Sequence, residues 1–214
     1  MSNHRGPAAC HDGTEGPEDG VARRSSPRLP GSPSGRGSGD GRRILIGGVG
    51  YRWQGDLSLG LVAADELARL QWPPGVEIAD LGYGAIYVAL DLADAQPPYE
   101  RVILLAAVAR GREPGRICCY QWGGVLPDAD EIQARVREAG AGVIDLDHLL
   151  IIAQHFGALP QDVVVVEVEP LAVSIGDNLS PAAADLLPKV IALVQRKALA
   201  PPRRHGETTP GGRR

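Results

Sequence analysis

The segment Val102-Ile103-Leu104-Leu105-Ala106-Ala107-Val108 is apolar without any alternation, so a strand built from it must bury both faces. Val163 to Val168 is read the same way, as a second fully apolar strand. Strands buried on both sides belong in the middle of a mainly parallel sheet, with helices packed above and below it. Few other architectures tolerate two such segments.

The intervening sequence supplies the remaining layers. Arg43-Ile44-Leu45-Ile46-Gly47-Gly48-Val49-Gly50 reads as a buried strand entering a tight loop. Asp56 to Leu70 places Leu57, Leu61, Ala64, Leu67 and Leu70 at helical spacing. Val76 to Asp80 alternates as a strand, and Ala85 to Ala95 predicts a second helix. Arg116 to Trp122 predicts a fourth strand, and Asp128 to Ala139 a polar surface helix. Asp147 to His155 is expected to be helical. A last helix is expected to start with Ser180 as N-cap and Pro181 in the first turn, and to run to Ala198 with a kink at Pro188. Ligands in such folds gather beyond the carboxyl ends of the strands.

Charge divides the chain. Residues 1–43 hold 9 Gly, 5 Pro and 6 Ser and carry a net of +2, from 7 Arg against 5 acids. Residues 200–214 carry 4 Arg and 1 acid, a net of +3. Both are expected to be disordered tails, leaving one domain over residues 44–199. That domain has 11 basic and 20 acidic residues, a net of -9, which argues against nucleic-acid binding. No apolar run is long enough for a transmembrane helix. Arg23-Arg24 is not followed by the apolar stretch that an export signal needs. A cytoplasmic protein is expected.

Several local motifs are weighed and set aside. Gly48-Val49-Gly50 resembles the start of a dinucleotide loop, but Trp53 stands where a small residue should let helix and strand close together. No Gly-x-Ser-x-Gly elbow occurs. Cys118 and Cys119 are adjacent on a strand, which suits structural roles better than joint ligation. His4, His11 and His205 fall in the tails, and His155 is expected to pack within its helix. His148, beside Asp145 and Asp147, reads either as part of a solvated helix start or as a ligand.

Taken in order, the pieces form a pattern. A strand ends Gly-x-Gly, Gly55-Asp56 opens a helix, and Asp80-Leu81-Gly82 follows the second strand. Glu113-Pro114-Gly115 lies behind the third strand, Leu146-Asp147-His148 comes next, and Leu179-Ser180-Pro181 precedes the final helix. Over residues 43–198 this resembles the hydrogenase maturation protease family, endopeptidases that remove a C-terminal extension from the large subunit of nickel–iron hydrogenases. The resemblance implies a three-layer α/β sandwich of the phosphorylase/hydrolase-like type, with a twisted, mainly parallel sheet. It implies the large-subunit precursor as partner and no tightly bound cofactor, the nickel belonging to the substrate protein. Two acids and a histidine would read that nickel.

The carry-over is incomplete. It makes Asp56 and His148 the candidate catalytic residues, with His148, and Asp56 beside it, as the candidates for recognising nickel. Gly50, Asp80, Leu57 and Ala106 would line the cleft. The two expected recognition acids fall on Leu57 and Ala106, which coordinate nothing. Asp56, Asp147, Glu167 or Glu169 would compensate only if the fold brought them to His148. Two readings follow: an endopeptidase with a rearranged site, or an inactive relative that binds the precursor as an assembly partner. Recruitment of the fold to an unrelated binding task is a third.

Overall fold

The computed structural model describes residues 42–201. The tails expected on either side otherwise lie outside the described residues. Five strands, β1 (Ile44–Val49), β2 (Val76–Asp80), β3 (Arg101–Ala107), β4 (Ile117–Gln121) and β5 (Asp162–Val168), form one sheet in the order β2-β1-β3-β5-β4. The first three and β5 run parallel, and β4 pairs antiparallel with β5 at the edge. Helices α1 (Leu59–Ala68), α2 (Ala85–Asp94), α3 (Ala129–Gly140), α4 (Leu146–His155), α5 (Pro181–Ala184) and α6 (Leu187–Leu199) complete the fold.

Strand side chains alternate between two cores. Leu45, Val102, Leu104, Val163 and Val165 face α2 and α4. Ile46, Ile103, Leu105, Val164 and Val166 face α1 and α6. The expected sandwich is present, and β3 lies at the centre of the sheet as its composition requires.

Four local expectations change. Residues Gly55–Ser58 form a 3-10 turn before α1 instead of its first α-helical turn. The final helix breaks outright: α5 ends at Ala184, and Pro188 sits in the first turn of α6, where a missing N–H costs no helical bond. His155 is exposed at the end of α4, edge-on to Phe156, and is not a packing residue. Finally, β5 is not fully apolar, because Glu167 is completely buried within it.

The close helix–strand approach is made by Gly48 and Gly60. A Cβ on Gly60 would stand 2.4 Å from the Leu105 carbonyl oxygen, and one on Gly48 would stand 2.5 Å from that of Gly60. Helix propensity alone favours Gly60→Ala by about 1 kcal/mol. The clash with β3 backbone reverses the sign. Chemical denaturation of Gly60→Ala is expected to show a net loss of about 2 kcal/mol.

Candidate functional site

At the carboxyl ends of β1 and β3 lies a cavity of about 190 Å³. Its walls come from the loop after β1, the end of β3, and the segment 144–146 that enters α4. The β1 loop is shaped by Gly50, whose φ of +137° a side chain would strain. Ser58 pins the same loop, donating to the Tyr51 carbonyl at 2.9 Å and accepting from the Gln54 N–H at 3.1 Å. The Tyr51 hydroxyl spans the cleft, donating to the Gly142 carbonyl at 2.8 Å and accepting from the Ile144 N–H at 2.7 Å.

Of the residues expected at the cleft, Gly50, Leu57 and Ala106 line this cavity. Asp56, Asp80 and His148 do not. Asp56 is buried and turned toward the C-terminal third of the chain. Its carboxylate accepts from the N–H groups of Ala172 (2.8 Å) and Ser180 (2.7 Å) and from the Ser180 hydroxyl (2.9 Å). These bonds occupy it as a structural clasp. Asp80 lies at the exposed end of β2, accepting from the Gly82 N–H and from Arg52, which also bonds Asp65 in bidentate fashion.

His148 is held between carboxylates. Its Nδ1 lies 2.7 Å from Asp145 and its Nε2 2.8 Å from Glu138, while its backbone N–H bonds the Asp145 cap. The ring is 2% exposed and ties α3 to the start of α4. Neither Asp56 nor His148 lines the cavity: Asp56 is bonded by Ala172 and Ser180, and His148 by Glu138 and Asp145. Asp145 does line the cavity, although its Oδ1 takes both contacts from His148.

The other acids also have partners. Glu167 accepts from Arg110 (2.8 Å), Arg112 (2.6 Å) and the Tyr120 hydroxyl (2.8 Å). Burial alone would raise its carboxyl, but these donors outweigh it and hold the group below the usual range. Arg110 forms a bidentate pair with Asp147, whose carboxyl is likewise lowered by that guanidinium. Glu169 accepts from the N–H groups of Arg110 and Gly111. Burial raises the thiol of Cys119, and burial together with the hydrogen bond to Glu167 raises the hydroxyl of Tyr120, both on β4. No group of three His, Cys, Asp or Glu side chains among the described residues is placed to hold a metal ion.

Sequence reasoning missed three features that shape this site. Tyr51 carried no recognisable signal as a bridge. Gly60 was masked by its helical context. The Asp145–His148 spacing is itself the mark of an N-cap and its third helical residue, and was open to that reading.

Fold and site together define an α/β sandwich with a ligand cleft at the carboxyl edge of its parallel strands. The profile of the hydrogenase maturation protease family matches residues 62–197. The crystal structure of the hydrogenase 2 maturation peptidase from Thaumarchaeota archaeon SCGC_AB-539-E09 is 30% identical, with a TM-score of 0.53 over 74% of this chain and 98% of that one. The hydrogenase maturating endopeptidase HybD from E. coli, at 20% identity, shares the fold with a TM-score of 0.55 over 73% of this chain and 94% of its own. No curated protein matches the chain. This chain belongs to the hydrogenase maturation protease family. Among the described residues, no helix is long and apolar enough to cross a membrane.

Proposed function

We propose that this chain is a cytoplasmic, non-cleaving member of its family, which binds the large-subunit precursor of a nickel–iron hydrogenase as an assembly partner. One observation carries the reading: Leu57 and Ala106 give the cavity hydrocarbon where recognition acids are expected. Hydrolysing a peptide bond requires a group that activates water and one that polarises the scissile carbonyl. The candidates for either task do not line the cavity and already have partners, Asp56 in Ala172 and Ser180, and His148 in Asp145 and Glu138.

The test is intact mass spectrometry of a nickel-loaded precursor incubated with this protein, alongside size-exclusion chromatography of the mixture. A full-length precursor co-eluting with the chain is expected. Loss of the C-terminal extension, abolished by His148→Ala, would instead establish the endopeptidase reading.

A further inference from the structure

The cleft lacks a metal-ligating set, yet it remains a formed cavity. Its lining residues include Val49, Leu57, Ala106, Val108, Ile144 and Leu146. A dry apolar cavity of about 150 Å³ accepts a benzene ring. At about 190 Å³, this one has room for a single aliphatic side chain. The one carboxylate that lines it is Asp145, whose side chain is 45% exposed. Such a rim favours a cation next to whatever apolar group enters.

The surface outside the cavity continues the same chemistry. Gln54 lines the cavity and also pairs with Gly176 in a short parallel bridge. The Gly176 N–H donates to the Trp53 carbonyl at 3.0 Å, which sets Trp53 beside Ile175. These two side chains are 66% and 95% exposed, and Val173 nearby is 72% exposed. Trp53 also has a backbone φ of +63°, a conformation uncommon for a residue with a side chain. Exposed apolar side chains grouped in this way mark a contact surface, and tryptophan is a frequent anchor in one.

We infer that the cleft is a socket for one aliphatic side chain of an extended segment of the partner, with a basic neighbour set against Asp145. Trp53 and Ile175 cover the flanking residues of that segment. Engagement is independent of nickel, because the cavity offers no group of three metal-ligating side chains and its single carboxylate, Asp145, is already bonded by His148. The partner's identity rests on the function proposed above, while the socket rests on the cavity alone.

The test uses the full chain and two probes. Acetyl-Gly-Leu-Lys-Gly-amide and acetyl-Gly-Ser-Lys-Gly-amide are titrated while the methyl resonances of Leu57, Val108 and Ile144 are followed by NMR. The precursor is then titrated in nickel-loaded and nickel-free forms. The leucine peptide should shift those methyls and bind roughly tenfold or more tightly than the serine peptide. Leu57→Glu, confirmed folded by its spectrum, should lose about tenfold for the leucine peptide. Asp145→Asn keeps a good helix cap and should weaken binding of the leucine peptide, whose lysine loses its carboxylate partner. The two precursor forms should bind within about twofold of each other.

Equal binding of the two peptides, methyl shifts confined to other regions, or wild-type affinity in folded Leu57→Glu would overturn the socket. Tighter binding of the nickel-loaded precursor by tenfold or more would overturn nickel independence. Socket shifts with the leucine peptide but no binding of either precursor would support the socket and reject the proposed partner.

Discussion

Glu167→Ala should lower the free energy of unfolding by about 4 kcal/mol at neutral pH, measured by urea denaturation. The carboxylate is fully buried and accepts from two guanidinium groups and a phenol. Removing it leaves Arg110 and Arg112 without their shared acceptor and strands the Tyr120 hydroxyl. Glu167→Gln keeps the shape without the charge and should show a smaller loss. The pH dependence has a definite sign. Glu167 is held below its ordinary value in the fold, so its contribution is complete above the unfolded value of about 4.3. That contribution disappears as pH falls through the lower, folded value. The gap between wild type and Glu167→Gln should therefore start to narrow as pH falls through about 4.3 and vanish only below the folded value.

Asp56→Ala separates structure from chemistry. A catalytic aspartate, once removed, leaves a folded and inactive protein. The Asp56 carboxylate instead satisfies two backbone N–H groups and one hydroxyl, all charge-assisted. Its loss should cost about 3 kcal/mol and loosen the segment 172–180, which hydrogen exchange would detect at the Ala172 and Ser180 amides. Unchanged stability and unchanged protection at those amides would refute the structural role.

Much of the fold could be read from the sequence because the relevant signals are local. The apolar β3 segment, the Gly48-Val49-Gly50 turn and the Ser180-Pro181 helix start each specify their own neighbourhood. Strand direction is different. The alternation of residues in Arg116 to Trp122 is the same whether β4 runs parallel or antiparallel, so its reversed pairing with β5 left no trace. Glu167 was hidden by the valines before it, although an acid at the end of such a run already calls for a buried cation.

Half of the site was legible. Leu57 and Ala106 line the cavity, as their positions on the β1 loop and β3 implied. The family resemblance assigns His148 and Asp56 to the site, but it carries no information on which neighbours bond them in this chain. Local spacing explains His148 through its cap. Nothing local explains Asp56, whose three donors lie 116 and 124 residues downstream.

That separation bears on how the protein is made. A ribosome emits the β1 loop well before Ala172 and Ser180 exist to clasp it. Until then, the turn that carries Leu57 lacks its distant anchor and is held by the local Ser58 bonds and the Tyr51 bridge. Such distant closures come late in folding. A nascent chain can therefore pair β1, β2 and β3 before that anchor exists. The distant anchor of the cleft wall arrives only with the last third of synthesis.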